Sequence, residues 1–361
     1  MVNDAQGTLV RVREEIQEEL NSYLTLQREY LSGIGSELIP VCDALESFLL
    51  DGGKRLRPLF AYAGFLATDK IPSKEDIRAF TSLELLQACA LIHDDLMDKS
   101  DTRRGKPAIH RHFENLHQSQ AMHGLSEQFG EAAAVLLGDL ALVWSDHMLH
   151  TSGISAQSLL SALSVHDEMR IELMAGQYLD VREAGEKYPN VDRSLRIARY
   201  KSGKYTIERP LHLGASIAIP DSNARKNLTH LLSSYGLPLG EAFQLRDDLL
   251  GIFGDPQTTG KPAGDDIREG KRTVLMAMTF DRARESAKAK LSELLGNENL
   301  SPSNIDTART LISESGSVKV VEDLIDGLLS SALEAASSAE IGSSARQLLT
   351  LLATSAIHRS H

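Results

Sequence analysis

Aspartates fall in two groups whose spacing could do chemistry. "HDDLMDKSDTRRG" at residues 93–105 follows a long apolar run, and "FQLRDDLLGIFGD" at 243–255 ends another. On a helix, Asp94 and Asp98 stand four apart and share a face, with Asp95 turned by about 100° to one side. Carboxylates held that close destabilise a helix and raise one another's proton affinity unless a cation compensates them. Magnesium is the natural cation, because it takes oxygen ligands and commonly uses one or two carboxylates together with substrate phosphates. An isolated DDxxD reads equally well as a solvated acidic helix end. The second pair, Asp247 and Asp248, is also flanked by apolar residues, so the two pairs together read as a facing metal cage. Gly251 stands where a second full DDxxD would carry Asp, so two carboxylates are expected from that turn, and Asp255 before Pro256 reads as a turn residue.

Phosphates bridged by magnesium leave charge for arginine and lysine, whose geometry suits phosphate oxygens. "DGGKRLRP" offers Lys54, Arg55 and Arg57 after a glycine pair, and Arg103 and Arg104 follow the first aspartates. "YKSGKYT" offers Lys201 and Lys204, and "TGKPAGDDIREGKR" adds Lys261, Lys271 and Arg272. Each cluster alone reads more often as solvated surface; beside two aspartate pairs they point to phosphate. Neither Walker spacing nor a GxGxxG after a strand is present, which ranks nucleotide hydrolysis low. His93, His110, His112, His117, His123, His147 and His166 are too scattered for a metal set, and no Ser/His/Asp arrangement stands out.

The elements that must carry these residues are helices. Apolar residues recur at three- and four-residue steps in "EDIRAFTSLELLQACALIHDDLMD", with Ser73 or Asp76 as the cap. Similar patterns occur near 9–31, 39–50, 56–68, 131–150, 156–181, 192–219, 223–252, 272–295, 303–314 and 316–336, separated by turn-rich breaks such as "GEKYPN" and "IPDSN". Strand alternation is nearly absent. The expectation is an all-α fold, a single-domain helical bundle over 1–361 with its small-molecule site in a deep cavity between facing helices.

The 361 residues are 42% hydrophobic and 24% charged, an ordinary folding composition. A net charge of −12 supplies no field for nucleic acid or an anionic membrane, so an anionic ligand must be held locally. Cys42 and Cys89 lie in apolar helical patterns without metal or redox spacing and read as buried thiols of a reducing compartment. The N-terminal residues lack a signal layout, and "AAAVLLGDLALVW" is interrupted by Asp139. A cytoplasmic protein without a stable membrane anchor is expected.

"GGKRLRP", "ELLQACALIHDDLMDKSDTRRGKP", "YKSGKYT" and "FQLRDDLLGIFGDPQTTGKPAGDDIREGKRT" occur in the order found in the trans-isoprenyl diphosphate synthases, or polyprenyl synthetases, and the chain resembles that family from roughly 45 to 280. The resemblance implies the isoprenoid synthase fold, a homodimer, and two aspartate-rich helix ends facing each other across the mouth of a cavity. It implies three magnesium ions, with Asp94, Asp98 and Asp247 as direct ligands and Asp95 and Asp248 supporting them or binding through water. Arg103, Lys201 and Lys261, with Gln244 nearby, would hold the allylic diphosphate (dimethylallyl, geranyl or farnesyl). Lys54, Arg57 and Arg104 would hold isopentenyl diphosphate, with Gln87 where many relatives carry histidine and Lys271 adding to substrate binding. The implied reaction ionises the allylic diphosphate, condenses the cation with the isopentenyl double bond and eliminates a proton, and Ser202, Tyr205 and Gln244 would line the cation's path. Ser202 keeps the hydroxyl of the threonine common in relatives. The loop "GDPQTTGKPAGDDIREGK", rich in glycine and charge, would act as a lid.

By the same resemblance, residues before Asp94 form the wall that measures the product. Cys89 and Ala90 are small where farnesyl-producing relatives commonly carry aromatics, with Leu86 and Leu83 one layer further and Leu137 and Leu140 as other candidates for the floor. A twenty-carbon product, geranylgeranyl diphosphate, is expected, with farnesyl or longer products as the alternative. A terpene cyclase or head-to-head synthase would not need "GGKRLR" and "TRRG" as a second diphosphate site. A non-catalytic partner subunit could dispense with the aspartates, and an acidic helical scaffold would not depend on the basic clusters. Arg359 in the tail "IHRSH" reads as frayed, with a fold over the isopentenyl site, as basic tails make in some relatives, as the alternative.

Overall fold

The computed structural model describes residues 2–254, 264–297 and 299–357. Its helices are α1 Val2–Ile34, α2 Ile39–Leu50, α3 Leu56–Leu66, α4 Lys74–Met97, α5 Ile109–Ser119, α6 Ser126–His150, α7 Ala156–Ala184, α8 Val191–Ile197, α9 Arg209–Ala218 and α10 Lys226–Phe253. They continue as α11 Val274–Arg282, α12 Glu285–Leu294, α13 Pro302–Glu314, α14 Ser317–Ala336 and α15 Ser343–Ile357. The fold is all-α, as the helix periodicity predicts. The structure departs from the predicted stretches in several places: α5 and α15 are not among them, 272–295 breaks at Ala283–Arg284 into α11 and α12, Ala198–Glu208 winds as a π-helix, and Thr102–Arg103 pairs antiparallel with Lys106–Pro107 in a minimal hairpin.

The chain divides into two compact units. One comprises the residues up to Ser164 together with Pro210–Lys226 and Ile341–Leu348. The other comprises Val165–Arg209, Asn227–Glu340 and the residues from Leu349 onward.

In the first unit α4 is the spine. Ser73 caps it by accepting from the Asp76 backbone, and the Asp76 carboxylate returns a bond to Ser73, so the two candidate caps form one capping box. Beyond that turn α4 is buried nearly all round, through Ile77, Phe80, Leu83, Leu85, Leu86, Cys89 and Ile92, the pattern of a core helix with neighbours on every side. It packs along α6 and against α1, α2, α3 and α5. By length and composition α6 is apolar enough to cross a membrane, yet half of its most apolar window is buried. Ala134, Leu137, Ala141, Trp144 and Met148 belong to the core cluster that also takes in Cys89 and Ile92 of α4.

In the second unit α10 carries Leu232, Tyr235, Leu239, Leu245 and Ile252 into the interior. The Tyr235 hydroxyl, fully buried, donates to the Leu349 carbonyl at 2.8 Å and so satisfies its one polar group. α11 packs on α8 and α14, where the Thr279 and Ser317 hydroxyls meet at 2.7 Å.

Candidate active site

The first aspartate group occupies the last turn of α4. The Asp98 amide donates to the Asp94 carbonyl at 2.8 Å, so helical geometry holds through Asp98 and puts these two carboxylates one turn apart on the same face. Both are half-buried. No basic residue lies in that turn, although a helix C-terminus disfavours negative charge. Two acidic groups at the wrong end of a helix dipole fit a hard divalent cation.

Asp95 points inward and is 1% exposed. Arg103 grips it with two bonds, Nε to Oδ2 at 2.6 Å and Nη2 to Oδ1 at 2.5 Å, and the same Nη2 lies 4.0 Å from Asp94. A fork-to-fork pair of this kind offsets the cost of burying the carboxylate. The hairpin makes it possible: Lys99 and Arg104 take left-handed backbone, with φ of 54° and 53°, and reverse the chain so that Arg103 returns to the helix end. Arg104 then lies near loop 51–54, its Nη1 at 3.4 Å from the Asp51 and Gly52 carbonyls. Asp101, without a role in the sequence reading, accepts from Arg111 Nε at 2.8 Å.

Lys54 is exposed in that loop, Arg57 is half-buried on the first turn of α3, and Gln87 is half-buried on α4. The first unit therefore brings Arg104 to the loop that carries Lys54. Further back on α4, Leu86 and Cys89 are fully buried and Ala90 is half-buried. Burial pushes the Cys89 thiol up to about 12, and Cys42 is likewise a buried free thiol.

In the second unit the π-helix carries Lys201, Ser202, Lys204 and Tyr205. Lys201 Nζ donates to Asp180 Oδ2 at 2.6 Å, and Lys204 pairs with Glu172, which Arg209 also holds through Nε at 2.7 Å. Tyr205 is buried and Ser202 half-buried. On α10, Gln244 donates to Asp248 Oδ1 at 2.8 Å, the Val274 amide reaches Asp248 Oδ2 at 3.3 Å, and Asp247 is half-buried beside them. Burial pushes the Asp248 carboxyl up to about 7, against the lowering effect of the Gln244 bond and helped by the nearby charges of Asp266 and Asp247.

Asp266 is the residue that the sequence reading missed. A Cβ placed on Gly251 would lie 1.9 Å from Asp266 Oδ2, so a carboxylate from the turn Asp265–Arg268 fills the space that an aspartate at 251 would need. The only sequence signal was the acidic pair inside "AGDDIREGK". Lys271 lies 2.7 Å from Glu269 and 3.7 Å from Asp266. Asp180 was missed as well, having no partner in the linear pattern. Lys261, Asp255 and Arg359 lie outside the described residues.

Among the described residues no three His, Cys, Asp or Glu side chains converge as a ready metal cage. Pairs of carboxylates suit magnesium all the same, since it keeps waters and takes its remaining ligands from phosphate.

The fold and these acidic and basic groups define an all-α enzyme of the isoprenoid synthase fold. Residues 40–312 match the polyprenyl synthetase family. A solved structure described as geranylgeranyl pyrophosphate synthase from Corynebacterium glutamicum, complexed with isoprenyl diphosphate and magnesium, is similar at a TM-score of 0.92 and 41% identity, covering 97% of this chain and 99% of that one. The short chain isoprenyl diphosphate synthase of Methanocaldococcus jannaschii is 29% identical over 311 residues, 84% of this chain and 82% of its own. The farnesyl diphosphate synthase of Escherichia coli is 31% identical over 277 residues, 74% of this chain and 85% of its own. The chain belongs to the polyprenyl synthetase family and is a prenyltransferase.

Proposed function

We propose that this chain is a magnesium-dependent geranylgeranyl diphosphate synthase that joins isopentenyl diphosphate head to tail onto dimethylallyl, geranyl or farnesyl diphosphate. The observation that carries the product length is the small size of Cys89 and Ala90, in the turn of α4 that precedes Asp94. With no aromatic ring there, the product would not be stopped at fifteen carbons by this wall. The likeness to the geranylgeranyl synthase from Corynebacterium supports the same length.

Asp94, Asp98 and Asp247 would hold magnesium, three ions in all, with Asp95 and Asp248 behind them. Bound magnesium would supply positive charge that stabilises the diphosphate as a leaving group. Arg103, Lys201 and Lys261 bind the allylic diphosphate, and Lys201 exchanges Asp180 for phosphate oxygen as it does so. Lys54, Arg57 and Arg104 bind isopentenyl diphosphate, assisted by Gln87 and Lys271. When the allylic carbon–oxygen bond breaks, its electron pair leaves with diphosphate and these cations stabilise the developing charge. The isopentenyl double bond attacks the allylic cation, and the released diphosphate takes the proton that is lost. Ser202, Tyr205 and Gln244 line the cation's path and keep water from quenching it.

The two units act as one polyprenyl synthetase domain, 1–361, in a cytoplasmic homodimer. Exposed Val135, Leu136 and Val143 on α6 support the dimer, because large apolar side chains left open to water are what a second copy would cover.

Incubation with magnesium, isopentenyl diphosphate and each allylic primer tests the proposal. The expected main product after dephosphorylation is the twenty-carbon alcohol, with turnover abolished by a chelator and restored by magnesium. No elongation from any primer would overturn it. A main product of fifteen carbons, or of more than twenty, would instead assign the enzyme to farnesyl or longer-chain synthesis.

A further inference from the structure

Arg55 belongs by sequence to the cationic run "GGKRLR", yet its side chain turns away from Lys54 and into the protein. It caps α3 in left-handed backbone, with φ of 51°, and is 5% exposed. A residue with a side chain holds that conformation only where its surroundings enforce it. Three elements do so here. Arg55 Nη1 donates to Glu84 Oε2 of α4 at 2.6 Å, and Nη2 donates to Gln17 Oε1 of α1 at 2.8 Å and to the Leu49 carbonyl of α2 at 2.6 Å.

The buried pair sits directly behind the loop that carries Lys54. A Cβ on Gly53 would meet Arg55 Nη1 at 3.4 Å and Arg104 Nη2 at 3.7 Å, so two guanidinium groups converge on one glycine. Gly53 itself has φ of 123°, a conformation that suits glycine alone. Arg104 lies in the field of both Arg55, which repels it, and Glu84, which attracts it. Without the Glu84 carboxylate, two like charges would face each other across the loop.

We infer that Arg55 and Glu84 are positioning residues for the isopentenyl diphosphate site: a buried ion pair that touches no substrate but fixes loop 51–54 and Arg104 so that Lys54 and Arg104 meet one diphosphate. This rests on the reading that Lys54, Arg57 and Arg104 hold that substrate. It explains why the middle cation of "KRLR" is buried, and it limits the effect of the pair to one of the two substrates.

The test is steady-state kinetics on Arg55→Met, Arg55→Lys and Glu84→Gln, varying each substrate with the other saturating, beside thermal melting of each variant. Arg55→Met and Glu84→Gln should raise the KM for isopentenyl diphosphate by about tenfold or more while kcat and the allylic KM stay within about threefold. Arg55→Lys, which keeps the charge, should recover part of that loss. Equal rises in both KM values, or unchanged KM values with a lowered melting temperature, would overturn the inference and leave the pair a packing feature. Glu84→Gln is nearly isosteric and carries the test if Arg55→Met does not fold. Calorimetric binding of isopentenyl diphosphate to wild type and Glu84→Gln separates the two readings. If the wild type binds but never elongates, the proposed function fails, while the positioning role still stands or falls on the affinity difference.

Discussion

Cys89 is fully buried and belongs to the same core cluster as Ala134, Leu137 and Ala141 of α6. Replacing it with phenylalanine adds volume to a packed core, at a cost of about 1–3 kcal/mol. If this helix measures the product, Cys89→Phe and Ala90→Phe shift the products toward fifteen carbons or fewer, read by chromatography of the dephosphorylated alcohols. An unchanged distribution places the limiting wall elsewhere, with Leu137 and Leu140 as the next candidates. Residue type was enough to mark Cys89 as small and apolar. It was not enough to show that Arg103 is engaged by Asp95, that Asp101 pairs with Arg111, or that Arg55 turns inward, because each depends on a partner that chain reversal brings close.

At the scale of elements, the π-helix shows what periodicity can hide. "RIARYKSGKYTIERP" falls inside the predicted helical stretch 192–219, and helix it is, but the wider winding over Ala198–Glu208 changes which side chains share a face. Close backbone contacts hold it in place. A Cβ on Gly176 of α7 would lie 2.4 Å from the Lys201 amide nitrogen, and one on Gly240 of α10 would lie 2.6 Å from Gly203 Cα. Gly176→Ala therefore displaces the backbone that bears Lys201. The expected result is a fall of roughly 10- to 100-fold in kcat/KM for the allylic substrate, since misplacement near 1 Å costs that much in an oriented site. A kcat/KM within about twofold of wild type would show that Lys201 does not depend on this contact. Most helix extents were legible because apolar spacing repeats along each element, but α5 and α15 were not read, and the stretch 272–295 is two helices. The hairpin at 102–107 was not, because two residues per strand leave no pattern to read.

For the whole molecule, the −12 charge argues against a nucleic-acid partner, and the apolar character of α6 is only half explained by its buried side. Leu136 and Val143 are 66% and 60% exposed on its other side. Replacing both with glutamate should convert a dimer of twice the chain mass into monomers in sedimentation velocity, with helix content retained by circular dichroism. A wild type that sediments as a monomer at micromolar concentration would remove the dimer from the proposal.

What the sequence determined by itself is the helical class, the two aspartate pairs and the basic runs around them, because these are matters of spacing along one chain. It determined the family as well, since several independent motifs recur in order. Only the tertiary structure decided how the charges within each unit are shared. Asp95 went to Arg103, Lys201 to Asp180 and Arg55 to Glu84, and Asp266 took the space beside Gly251. The reason is electrostatic: a buried charge costs too much alone, and which opposite charge or hydrogen-bonding group it meets is set by packing between segments far apart in sequence.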